Sequence, residues 1–196
     1  LHRAAARAAA LAGNPALRAS AWDVMGGAAH VDSAGRRPDP EIGVYAENVT
    51  GSGPYADAGQ AQVTLEMRQL VELGGKRGAR VAVAERALAI ASVDHAIRRL
   101  DVEAEVERRF VRLLAAQEGI ALATAEERRA EAIVGATRRR VAAGAGSSVE
   151  EERAAMTLAR TRIATEHADH QLAVARRELA ASWGAPEARF ERAAGD

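Results

Sequence analysis

No proline interrupts the chain between Lys76 and Ala185, and this constrains the fold more than any other feature. Proline is the residue that ends helices most sharply. Within this run the clearest break is Val141-Ala-Ala-Gly-Ala-Gly-Ser-Ser-Val. The reading is a very long helix, a sharp turn and a returning helix. Gly144 and Gly146 stop the first helix, and Ser147 or Ser148 caps the second. Glu150, Glu151 and Glu152 then sit near its positive end. From Lys76 to about Ala142 the first helix would run on the order of 100 Å. A globular domain of this size is far shorter, so such a helix belongs to an elongated assembly.

Composition points the same way. The 196 residues are 48% hydrophobic but only 3% aromatic, because roughly a quarter of them are alanine, far above ordinary usage. Alanine buries little area yet is the best helix former, so the chain suits helices in close contact. Charge is balanced at 27 basic and 27 acidic residues, which argues against a nucleic-acid binder. The lack of cysteine excludes a disulfide scaffold and a thiolate metal site.

Upstream, Leu1 to Leu11 reads as a short helix ending at Gly13, and Asn14-Pro15 opens another with a cap and a first-position proline. Leu17, Ala21, Val24, Ala28 and Val31 form its apolar stripe, and Gly35, Pro38 and Pro40 end it. Ile42, Val44 and Ala46 then alternate with polar neighbours, and Val63, Leu65 and Met67 do so again. This period of two predicts a hairpin, with Asn48 to Gly59 as its Gly/Ser/Pro-rich connection. A strand on a globular core and a strand of a membrane barrel share this alternation. On the long helix, Ile90, Val93, Ile97 and Leu100 make one stripe. Val106, Phe110, Leu113, Gln117 and Ile120 make another at a shifted phase, as expected for neighbours on two sides. The returning helix carries Leu158, Thr161, Thr165, Ala168, Leu172, Ala175 and Leu179 at coiled-coil spacing.

The order of elements resembles one repeat of the outer membrane efflux proteins, the TolC-like channels. Asn14-Pro-Ala-Leu-Arg-Ala, Arg37-Pro-Asp-Pro-Glu-Ile and Leu70-Val-Glu-Leu-Gly-Gly-Lys-Arg carry the resemblance. So do the spacing of Arg140, Gly144 and Ser147, and Ser182-Trp-Gly-Ala-Pro-Glu. The stretch from Leu70 is similar to the heavy-metal, CzcC-like branch. The fold class implied is mainly α with one β-hairpin: antiparallel helices of an α-barrel segment, plus two strands of an outer membrane β-barrel. The resemblance divides the chain into N-terminal helices (1–37), barrel hairpin (38–73), long periplasmic helix (74–143), turn and returning helix (144–185), and a linker to a second repeat (186–196).

The same resemblance implies a passive channel subunit, not an enzyme, with no cofactor. It would be homotrimeric in the full-length protein and sit in outer membrane lipid, with its helices in the periplasm. A periplasmic adaptor and an inner-membrane RND-type pump would complete a tripartite pump exporting heavy-metal cations. Arg140, Gly144 and Ser147 are the expected adaptor-contact tip. Ile42, Val44, Val63, Leu65 and Met67 are the expected lipid-facing positions. The alternative is a soluble periplasmic coiled-coil structural or adaptor protein with a small packed β-hairpin.

Other motifs read more plainly. His167 and His170, beside Glu166 and Asp169, are expected to be solvated surface groups, and His2, His30 and His95 to be surface or packing residues. Gly74-Gly-Lys-Arg lacks the upstream glycine and following hydroxyl of a phosphate loop. Asn48-Val-Thr is a formal glycosylation sequon attributed to chance. Arg138 to Arg140 suit the negative end of the long helix.

Overall fold

A computed structural model describes residues 1–49, 52–53, 59 and 61–195. Thr50 of the sequon and much of the expected hairpin connection lie outside the described residues. The described elements are α1 (Arg3–Gly13), α2 (Pro15–Gly35), β1 (Glu41–Glu47), β2 (Gln62–Arg68), α3 (Lys76–Ala142) and α4 (Ser148–Ala181). The chain divides into two compact units, residues 1–21 with 94–196 and residues 22–93.

In the first unit, Asn14 separates α1 from α2. Its backbone N–H closes α1 by donating to the Ala10 carbonyl at 2.9 Å. Its Oδ1 accepts from the Leu17 N–H at 3.0 Å, capping the helix that Pro15 begins. The core joins Ala6 and Ala10 of α1 to Val106, Phe110 and Leu113 of α3 and Leu172, Ala175 and Leu179 of α4. The second stripe of α3 and the stripe of α4 thus face inward, as their spacing predicts. At Gly13 a Cβ would fall 2.7 Å from the Trp183 carbonyl oxygen, so the closest approach of α1 to the end of α4 requires glycine.

The segment after Pro186 packs on this unit. Phe190 lies 6.2 Å from Trp183 between ring centroids. Gln117 reads the backbone of Ala193 as a strand would. Its Nε2 donates to the carbonyl at 2.9 Å, and its Oε1 accepts from the N–H at 2.7 Å. Leu1 and Ala194 hydrogen-bond alongside at 3.0 Å.

In the second unit, α2 meets the start of α3 along small residues. Ala34 and Ala84 are buried, and a Cβ on Gly27 would press Leu88 Cδ1 at 3.2 Å. One stripe needs correction here, and another faces away from α2. On α2, Ala28 is exposed and Gly27 takes the inward place. On α3, the inward residues are Val81, Ala84, Leu88 and Ala91, whereas Ile90, Val93, Ile97 and Leu100 are each at least half exposed. The inner seam alternates Val81 and Leu88 with Ala84 and Ala91, and Gly27 and Gly35 of α2 face the two larger side chains.

Strands β1 and β2 pair antiparallel, with Ile42 opposite Met67, Val44 opposite Leu65 and Ala46 opposite Val63. Seven residues of each strand are paired, fewer than the about 9–11 that a membrane-spanning barrel strand needs.

Truncating the core should separate the buried stripe from the exposed one. Phe110→Ala is expected to cost about 3–5 kcal/mol, read as a lower midpoint of helix loss on chemical denaturation of the 196-residue chain. Ile90→Ala in the same chain should stay within about 0.5 kcal/mol. An equal cost for the two would contradict the assignment of faces.

Candidate functional site

Two surfaces gather the residues singled out in the sequence, one in each compact unit. The first is the ribbon β1–β2. Alternation and register place Ile42, Val44, Val63, Leu65 and Met67 on one face, and each is 67–74% exposed. The other face carries Gly43, Tyr45, Thr64 and Glu66. There the Tyr45 ring covers Gly43, where a Cβ would meet its Cε2 at 2.9 Å. The apolar face therefore has no cover among the described residues.

The ribbon is tied to its flanking helices by Arg80. Its guanidinium donates to the carbonyls of Ala34 (2.9 Å) and Arg36 (3.1 Å) at the end of α2. It also donates to both carboxylate oxygens of Glu72, just past β2, at 3.0 Å for Oε2. This side-chain hydrogen bonding holds the Glu72 carboxyl below the usual carboxylate range. The sequence reading missed this clasp because its partners lie far apart in the chain and form no spacing motif. Gly74 and Gly75 follow, both at positive φ (71° and 75°), so their role is to reverse the chain into α3.

The second surface is the turn from α3 to α4. Gly144 has φ 71°. The Ala145 N–H donates to the Arg140 carbonyl at 2.9 Å, and the Gly144 N–H to Val141 at 3.0 Å. This pair of bonds is the Schellman arrangement, with glycine in its left-handed position. Ser147 then caps α4, its hydroxyl oxygen accepting from the Val149 N–H at 3.2 Å. Arg140 Nη2 donates across the turn to the Ala145 carbonyl at 3.2 Å and lies 4.0 Å from Glu150. Arg138 pairs with Glu151 at 2.9 Å. The structure thus brings Arg140, Gly144 and Ser147 into one turn and gives each a geometric task.

The histidines form no common centre. His167 Nε2 lies 2.9 Å from the Gln171 amide nitrogen, and His95 Nδ1 lies 2.8 Å from Ser20 Oγ. Ser20 Oγ also lies 2.9 Å from the Leu17 carbonyl, so His95 and α2 meet through one hydroxyl. Among the described residues no group of three His, Asp or Glu is placed to hold a metal. No described helix is long and apolar enough to cross a membrane, which says nothing of a β-barrel.

Comparison with known proteins adds a family. The family described as outer membrane efflux protein matches residues 6–185. The cobalt-zinc-cadmium resistance protein CzcC of Cupriavidus metallidurans is 35% identical over 159 residues, 81% of this chain and 36% of that protein. The outer membrane protein VceC of Vibrio cholerae superposes with a TM-score of 0.72 at 21% identity, over 97% of this chain and 49% of that one. The CmeC outer membrane channel of Campylobacter jejuni gives 0.78 at 14% identity, over 97% and 44%. The chain spans about a third of the curated relative and a little under half of each channel.

The clasp and the turn predict distinct losses. Because the folded Glu72 carboxyl titrates below its unfolded value, its contribution is present above the usual carboxylate range. It fades as pH falls through the folded value. Glu72→Gln should therefore lower the melting temperature of the 196-residue chain near neutral pH, and the difference from the unaltered chain should close in acid. At the turn, Ser147→Ala is expected to cost about 1 kcal/mol and Gly144→Ala a similar amount, both read by denaturation.

Proposed function

This chain belongs to the outer membrane efflux protein family, and we propose that it supplies channel-wall segments of an outer membrane efflux conduit. The carrying observation is the uncovered apolar face of the ribbon. A small hairpin packed on a soluble helical protein would bury Ile42, Val44, Val63, Leu65 and Met67, and here all five are exposed. A lipid-facing role explains that exposure together with the polar opposite face, as in a barrel whose lumen is wet. Two strands cannot close a barrel, so the reading includes further strands, from homotrimeric assembly of the full-length protein.

On this reading, α3 and α4 are periplasmic. The exposed stripe Ile90, Val93, Ile97 and Leu100 meets neighbouring helices, and small residues set their spacing. The segments 1–37, 38–73, 74–143 and 144–185 serve as entry helices, barrel hairpin, long periplasmic helix, and turn with returning helix. Residues 186–196 lead toward a second repeat. The α3–α4 turn is the docking point for a periplasmic adaptor that links the channel to an inner-membrane RND-type pump. Gly144 and Ser147 shape the turn, and Arg140 braces it. The similarity to CzcC supports the heavy-metal branch, with divalent cations as the cargo. The conduit performs no chemistry of its own, and its histidines are not a binding site.

Position 65 tests the ribbon, since Leu65 pairs with Val44 at its centre. Arginine on the lipid face near mid-membrane costs about 2–4 kcal/mol. Leu65→Arg should remove the full-length protein from the heat-stable outer membrane fraction, while Thr64→Arg on the opposite face should leave it there. Normal insertion of Leu65→Arg would sink the barrel assignment. For the turn, a cysteine at Ala145 should crosslink to the adaptor in cells, and Gly144→Val should reduce that yield several-fold.

A further inference from the structure

The second compact unit contains a groove of about 510 Å³ where the chain leaves β2 and enters α3. Its lining combines apolar Leu70 and Val71 with three cations, Arg37, Lys76 and Arg77. Glu72 is the one carboxylate in that lining, and Arg80 holds both of its oxygens. Among the described residues no hydrogen bond or ion pair engages the side chains of Arg37, Lys76 and Arg77, and all three residues are exposed.

Two of these cations stand where the fold itself disfavours them. Lys76 and Arg77 open α3, whose first turn holds no acidic residue. The positive pole of a helix repels such charges. Elsewhere the chain obeys the dipole, with Glu150 and Glu151 at the start of α4 and Arg139 and Arg140 at the end of α3. Like charges gathered at a positive helix end, with their one carboxylate already bonded to Arg80, are relieved by an anion from outside.

The apolar residues indicate which anion. Leu70, Val71 and Leu73 are 68–74% exposed, as open as the five outward residues of the ribbon. They extend that apolar surface past Arg68, the last paired residue of β2. A phospholipid leaflet has the same order, hydrocarbon and then a layer of phosphate at its edge. Lysine and arginine lay their stems along the hydrocarbon and place their charges in that layer. Free inorganic phosphate would leave the exposed leucines without a role.

We infer that this groove binds the headgroup phosphate of an anionic glycerophospholipid in the periplasmic leaflet of the outer membrane. The inference rests on the barrel reading of the ribbon. Arg37, Lys76 and Arg77 surround the phosphate, and the glycerol end of the acyl chains lies on Leu70 and Val71. Arg80 keeps Glu72 from competing for the three cations, since its guanidinium holds that carboxylate. An anionic headgroup is preferred to a zwitterionic one, whose ammonium would add a further positive charge to the groove.

The test is native mass spectrometry of the full-length protein, extracted from the heat-stable outer membrane fraction. It is titrated in detergent with phosphatidylglycerol or phosphatidylethanolamine of identical oleoyl chains. Phosphatidylglycerol should be retained at least about fivefold more tightly. Arg37→Gln/Lys76→Gln/Arg77→Gln, which breaks no internal bond, should bring that ratio below about twofold and leave the phosphatidylethanolamine affinity unchanged. The charge-matched control Arg98→Gln/Arg153→Gln/Arg160→Gln, at exposed positions of α3 and α4 outside the groove, should keep the full ratio. Excess inorganic phosphate should not displace the lipid. A protein present in the membrane fraction but without the lipid preference would overturn the site alone. So would a preference that survives the groove variant, falls equally in the control, or yields to inorganic phosphate. Absence of the protein from the membrane fraction would overturn the barrel reading, and the site with it.

Discussion

How closely two helices approach is set by the side chains between them, and in this chain those side chains are small. Gly13 leaves no room for a Cβ beside the Trp183 carbonyl. Gly27 sits under Leu88, and Ala6, Ala10, Ala84 and Ala175 occupy positions where Leu or Ile would force the axes apart. Such seams gain little per residue from area but much from the number of close atom pairs. They also account for the low aromatic content. Phe110, Leu113 and Leu179 supply the bulk of one unit's core, and the rest is filled by backbone drawn near.

A thin core leaves position to be fixed by directed polar contacts, and these aim mostly at backbone. Asn14 Nδ2 donates to the Ser182 carbonyl at 2.8 Å, and Arg109 Nη1 reaches the Glu178 carbonyl at 2.8 Å and Ser182 Oγ at 3.1 Å. Arg80 and Gln117 do the same for the end of α2 and for Ala193. Each is worth about 1 kcal/mol net, but each specifies a register that an alanine seam alone leaves loose. The exposed pairs, such as Arg99–Glu103 at 3.3 Å, contribute less, since side-chain entropy and water offset most of their attraction.

What could be read from the chain followed from local rules. The Asn14-Pro15 junction, the turn at Gly144 and Ser147, and the alternation in both strands depend on neighbours within a few residues, so they were legible. The faces of α3 were legible only where the buried residues are large. At Val106, Phe110 and Leu113 the stripe is the core. At Ile90 and Val93 it is the outer face, because hydrophobicity alone ranks Ile above Ala and Gly, and the inner seam uses Ala84 and Ala91. The Arg80–Glu72 clasp and the Gln117–Ala193 pairing were not legible at all. They join distant positions through residue types that also occur on any wet helix.

An isolated two-stranded ribbon is marginal in water even when one face is covered, and this one has a continuous apolar face uncovered. Its stability cannot come from within its own paired residues. The clasp through Arg80 holds the strand ends near α2 and α3, but a clasp at one end does not remove five apolar side chains from water. Whatever covers Ile42, Val44, Val63, Leu65 and Met67 must therefore be external to the described structure and must present a surface without hydrogen-bonding demand on that face. Hydrocarbon meets this condition, and further strands at both ribbon edges would satisfy the backbone groups that hydrocarbon cannot. The same logic extends to the outer stripe of α3, where another helix can supply both cover and close packing. In both places the sequence spends its large apolar residues outward, so the folded chain and its surroundings form a single stability problem.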